Sequence, residues 1–261
     1  MFTNKYLKTP NTKKYILIAI ITVFVLVPLS ILLIALSKSK NISYDISTTI
    51  FGSDLPSIKT FVNKPTDLFI VKESDYKYIA STTPFMGLNT SCPHSGAHIN
   101  FTNNNAPYEV EIITPVDGRI TRVQPCFDLG THDKFDVSVS FASLNGVPVS
   151  LDYSIEPFDG LRCKTNADYY KKYIKVEEGQ EVKAGDVIAI MPKFSSDPKT
   201  GTHIHYNLHM NGSNGLLCPN IFSKEIVNKM SSIYMQGVCG GVPITQNTLC
   251  YMPGIGEDIV N

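Results

Sequence analysis

The sequence predicts a mainly β domain carried behind one transmembrane helix. Three observations predict it. Short apolar runs separated by turn residues fill the chain from about residue 66. Several of those runs alternate apolar and polar residues with period two. One stretch of 22 residues near the start, Tyr15 to Leu36, contains no charge.

The uncharged stretch comes first in the chain. At 1.5 Å per residue it spans roughly 33 Å as a helix, enough to cross a hydrocarbon core. It exceeds the h-region of a signal peptide, and it is read as an uncleaved anchor even though Ala35-Leu36-Ser37 loosely resembles a cleavage site. Four lysines precede it (Lys5, Lys8, Lys13 and Lys14) and two follow closely (Lys38 and Lys40), so the positive-inside rule leaves the N-terminus in the cytoplasm and the rest outside. All six cysteines fall on that outer side, where disulfides are expected, and no Cys-x-x-Cys pair suggests a cysteine metal cluster. Lys plus Arg equals Asp plus Glu at 23 each, which excludes a charge-driven partner such as nucleic acid.

The organisation that follows is a cytoplasmic tail (1–14), the anchor (15–36), a polar stalk (37–65), a β-domain (66–236) and a Gly- and Pro-rich tail (237–261) in which Cys239 and Cys250 are placed to pair locally. Within the β-domain, Tyr108 to Ile113 reads as a strand and Asp117-Gly118 as a hairpin turn leading into Ile120 to Val123. Val137 to Phe141 alternates strictly, Asn145-Gly146 is a second hairpin turn, and Val149 to Ile155 returns. Tyr173 to Val176 and Val187 to Ile190 are further strands, joined through Gly179 and Gly185, and Thr202 to Met210 is the last. Asp159 to Lys172 interrupts the rhythm as an inserted loop, and Asn220 to Tyr234 reads as helical.

Five of the six histidines fall in two groups, His94 and His98, then His203, His205 and His209. Strand parity puts His203, His205, Asn207 and His209 on one face and Ile204, Tyr206, Leu208 and Met210 on the other. A row of imidazoles on one strand face points to a metal, zinc above all, against the alternative of a solvated polar face. His132, in the polar loop Gly130-Thr131-His132-Asp133, is expected to be solvated.

Four motifs in order carry a resemblance. They are His94-Ser95-Gly96-Ala97-His98, Thr114-Pro115-Val116-Asp117-Gly118, the segment Val176 to Ile188 with Gly179 and Gly185, and Gly201-Thr202-His203-Ile204-His205-Tyr206. In spacing and order, residues 92–212 resemble the lysostaphin-type (LytM-like) zinc metallopeptidases. The resemblance implies a small antiparallel β-sandwich of the barrel-sandwich hybrid type. It implies a zinc ion held by His94, His98 and His205, with His203 as a catalytic acid/base, and peptide or peptidoglycan as substrate. Two positions depart from the family pattern. His98 stands where the family has Asp, and a three-imidazole site still holds zinc. Ser154 stands where the family has a second catalytic histidine, a loss that commonly costs about 10²–10⁴ in rate. Asp152 and Glu156 share the face of Ser154 by parity and are candidate substitutes for that group, against the plainer reading of an ordinary polar strand face.

Three function classes follow: a membrane-anchored extracytoplasmic zinc metallopeptidase cutting wall peptides, a catalytically degenerate relative that binds a wall component or partner, and a phosphocarrier domain. The expected topology argues against the last, which needs cytoplasmic partners.

Overall fold

The computed structural model describes residues 54–83, 97–102, 106–194, 201–210, 216–217 and 221–233. The expected anchor, the cytoplasmic tail, the C-terminal tail, His94, Cys92, Cys218, Cys239 and Cys250 lie outside the described residues. Among those described, no helix is long and apolar enough to cross a membrane.

The fold is mainly β and its ladders are antiparallel. The strands are β1 (Ile79–Thr83), β2 (Ala97–Phe101), β3 (Tyr108–Ile113), β4 (Gly118–Asp128), β5 (Asp133–Leu144), β6 (Val147–Glu156), β7 (Glu181–Val182), β8 (Val187–Lys193), β9 (His203–Met210) and β10 (Leu216–Leu217). The larger sheet runs β1-β2-β9-β6-β5-β4-β7, with β10 also paired to β9, and the smaller is β3-β8. Alternation decides what each face of the larger sheet carries. Val137, Val139, Leu151, Tyr153, Ile155, Ile204, Tyr206 and Leu208 are all buried, while the residues between them are Ser, Asp, His and Asn. The apolar face joins one continuous core with Val110, Ile112, Ile188 and Met191 of the smaller sheet. Tyr153 ties the two sheets by donating its hydroxyl hydrogen to the Ile113 carbonyl at 3.2 Å.

The Asn145-Gly146 turn is as expected. Both residues have positive φ, 52° and 78°, the pattern of a two-residue turn whose twist matches its strands. Asp117-Gly118 is not a hairpin turn. β3 pairs with β8 while β4 pairs with β5 and β7, so the chain changes sheets at this point. Glycine is required there by proximity: a Cβ on Gly118 would lie 2.6 Å from the Ser140 carbonyl oxygen. Asp117 instead clamps the turn before β8, accepting from the Ala184 N–H and from Lys183 Nζ at 2.9 Å each. The Ala184 bond, then that of Lys183, holds its carboxyl below the usual carboxylate range.

Two more expectations change. Tyr173 to Val176 is no strand. A 3-10 turn occupies Lys171–Tyr173, and only Ile174 bridges to β8, at Ala189, because the chain then turns away through Glu177 and Gln180. The last part of the expected stalk folds onto the domain. Helix α1 (Ile58–Asn63) is capped by Ser57, buries Ile58, and sets Phe61 edge-on against Phe141 with centroids 5.0 Å apart. Amphipathic spacing, absent from a true linker, drives this docking. The helix expected over 220–234 is α2 (Lys224–Ser231), capped by Ser223 and buried through Ile226, Val227 and Met230.

The 159–172 loop is tied down at both ends of its reach. Cys163 is disulfide-bonded to Cys126 of β4, and its N–H donates to Asp133 at 2.7 Å. Tyr170 is fully buried and stacks on Phe135, centroids 5.3 Å apart.

Candidate metal centre

The polar face of the larger sheet gathers the chemistry. Register aligns one rung across four strands: His98 opposite His205, His205 opposite Ser154, and Ser154 opposite Asp136. The neighbouring rung sets Asn100 opposite His203 and His203 opposite Glu156. Two histidines on one strand and a third on its neighbour therefore converge. The ring centroids are 3.9 Å apart for His98 and His205, 4.6 Å for His203 and His205, and 5.1 Å for His98 and His203. One ring nitrogen from each lies within 4.8 Å of the others, so the group can hold a metal ion.

The chemistry of the donors fits such an ion. The His203 Nδ1 faces the Gly201 carbonyl oxygen, which can only accept, so Nδ1 carries the hydrogen and Nε2 presents its lone pair. That Nε2 lies 2.7 Å from the Nε2 of His205. The two nitrogens point at a common spot, which a proton shared between them fills or a cation takes over. Backbone-oriented imidazoles of this kind are the usual arrangement around zinc.

Glu156 sits at the centre of a second shell of contacts. Its side chain is only 7% exposed, and its carboxylate reaches three histidines: His132 Nε2 at 2.6 Å, His205 Nε2 at 3.3 Å and His203 Nε2 at 3.4 Å. A carboxylate so buried is costly unless it is paired, and His132, the nearest of the three rings, supplies the partner.

The expected solvation of His132 is overturned. Its side chain is 15% exposed, its Nδ1 is hydrogen-bonded to the Thr131 hydroxyl at 2.9 Å, and its ring stacks on Phe158 with centroids 3.9 Å apart. The signal was in the strand pairing: Phe135 lies opposite Ile155, which brings the start of β5 level with the end of β6. A lone histidine in a loop gave no such hint.

Of the two carboxylates expected as substitutes, the structure brings only Glu156 to the converging His203 and His205. Asp152 is four residues back along β6, about 13 Å away at strand rise, and pairs with His209 at 3.6 Å. Desolvation raises its carboxyl pKa, offset in part by Ser138 and His209, although 32% of the side chain remains open to water. Ser154 points to the site face but is engaged elsewhere. It donates to Asp136 at 2.6 Å and accepts from Lys134 Nζ at 2.8 Å, and Lys134 also pairs with Asp136 at 3.0 Å. A second grouping, Cys126, Asp133 and Cys163, is no metal site, because its two sulfurs are bonded to each other.

No protein-family model matches the chain, and no curated protein does. Comparison with solved structures finds the NMR solution structure of lysostaphin, 17% identical, covering 66% of this chain and 62% of that one at a TM-score of 0.31. The chain thus spans less than two thirds of the lysostaphin chain.

Proposed function

We propose that this protein is a zinc-dependent peptide hydrolase, anchored in a membrane by Tyr15 to Leu36 and acting outside the cell on wall peptides. The observation that carries the reading is the convergence of His98, His203 and His205 beside a buried carboxylate. Zinc bound there would supply an acidic water and polarise the scissile carbonyl. His98 and His205, facing each other across β2 and β9, are the first two ligands. The third is His94, by the motif resemblance, which leaves His203 Nε2 to exchange protons with the substrate. Glu156 accepts the proton that hydrolysis releases, in the role for which the sequence offered Asp152 and Glu156 together.

The test is metal content and hydrolysis of purified peptidoglycan by the full chain and its variants. We expect one zinc per chain, lost in His205→Ala and in His94→Ala but kept in His203→Ala, which is inactive. Loss of zinc in His203→Ala with retention in His94→Ala reassigns the third ligand to His203. A chain without zinc in any form ends the reading.

One observation favours a second reading, a binding module that holds zinc without cutting. No imidazole stands at Ser154, and Lys134 and Asp136 occupy its hydroxyl. Zinc present with no cleavage of peptidoglycan selects it.

A further inference from the structure

We propose that His132 is a positioning residue for Glu156, an imidazole delivered by the β4–β5 turn to a site that lacks one at Ser154. The inference rests on the hydrolase reading above for its catalytic consequence, and on contacts alone for the pairing itself.

Both nitrogens and one face of the His132 ring are engaged. Nε2 meets Glu156 Oε2 at 2.6 Å, the shortest of the three contacts that the carboxylate makes to histidine. Nδ1 meets the Thr131 hydroxyl at 2.9 Å. The ring face lies on Phe158, with planes 17° apart. Because a carboxylate accepts and does not donate, Nε2 carries the hydrogen in this pair, and the Thr131 hydroxyl then donates to Nδ1. The turn that delivers the ring is closed by the Leu129 N–H to the His132 carbonyl at 2.9 Å.

Phe158 is itself held in an unusual way. Its backbone has φ of 58°, a region that bulky residues rarely adopt, and its ring lies over the bare backbone of Gly201. A strained residue is retained where the surroundings require it. Here it serves two rings at once, stacking on His132 and lying 5.7 Å from His203. Anchoring Oε2 on His132 fixes the rotation of the carboxylate, so that Oε1 stays turned to His205 at 3.3 Å. Without that anchor Glu156 is free to rotate into the space left by the ring. Partners of this outer kind typically contribute about 10- to 100-fold to activity when removed.

Two measurements on the full chain test this. The first is kinetic, on purified peptidoglycan. His132→Leu is expected to keep its zinc and its KM while kcat falls about 10- to 100-fold, His132→Gln to recover part of the loss, and added imidazole to restore His132→Ala. Wild-type kcat in His132→Leu, or loss of zinc from it, overturns the proposal. The second does not need activity. Nitrogen-15 spectra of the histidine side chains are expected to show a strongly deshielded Nε2–H on His132 that disappears in Glu156→Gln. A chain that binds zinc and cuts nothing defeats the hydrolase reading, yet leaves this signal to decide the pairing: its presence upholds the pair, and its absence overturns it.

Discussion

Gly201 has no side chain because Phe158 occupies the space one would need. A Cβ there would lie 2.6 Å from Phe158 Cζ and 2.9 Å from both neighbouring ring carbons. The glycine of the Gly-x-His motif is thus a packing requirement, and through Phe158 it reaches His132 and His203. Gly201→Ala must push the ring away. We expect a loss of about 1–3 kcal/mol in stability from overpacking, and a kcat reduced by about tenfold or more with zinc retained. Thermal unfolding, kinetics on purified peptidoglycan and metal analysis of the one variant check both. An unchanged kcat would separate Phe158 from the site. Ser154 illustrates the opposite relation. Its neighbours Lys134 and Asp136 are an ion pair that satisfies the hydroxyl from both sides, so serine is locally well accommodated at the position.

At the scale of elements, the site depends on how the β4–β5 hairpin is held. The hairpin tip carries His132, and the 159–172 loop is stitched to it by Cys126–Cys163, a separation of 37 residues. Asp133, buried at the start of β5, accepts the Cys163 N–H and so joins the loop to the strand directly after His132. Closing a loop of this size stabilises by about 2–4 kcal/mol. For a domain of this length each kcal/mol moves Tm by roughly 2–4 °C. A Cys126→Ser, Cys163→Ser double variant is therefore expected to melt about 5–15 °C lower. Hydrogen exchange should quicken across the loop and the hairpin tip while β6 and β9 stay protected. Uniform acceleration across the sheet would show that the disulfide supports the whole domain and not this tip.

For the whole molecule, the tyrosines set an alkaline limit. Burial, with Glu73 adding to it, pushes Tyr76 from 10.0 to about 12. A hydrogen bond to Asp159, with burial second, pushes Tyr169 from 10.0 to about 12. Burial also raises Tyr170. The folded chain keeps these protons after the unfolded chain has begun to lose them, so the unfolded state binds fewer and stability declines as pH rises. The contribution is complete below 10.0 and is lost on the way to about 12. Denaturant unfolding at a series of alkaline pH values should show this fall, and Tyr169→Phe should flatten it. A flat profile in the unaltered chain would contradict it. Among the described residues, Cys126 and Cys163 form a disulfide, a bond of the kind that persists in oxidising compartments.

The sequence by itself determined which residues face which way. Period-two alternation put His203 and His205 on one side of β9 and Ile204, Tyr206 and Leu208 on the other, and aligned Glu156 with Ser154, because parity along a strand is local and needs no knowledge of neighbours. It also determined the Asn145-Gly146 hairpin, whose turn chemistry is contained in two residues. Only the tertiary structure decided which strands lie side by side. Asp117-Gly118 looked like a turn between partners, yet β3 and β4 belong to different sheets, since the glycine is demanded by Ser140 from a distant stretch of chain. Asp152 and Glu156 were equivalent by parity, and position along the sheet separated them: one lies beside His209, the other beside three imidazoles. His132 belongs to no period at all. It enters the site because β5 pairs with β6, and pairing between strands is a long-range contact that alternation within a strand does not encode.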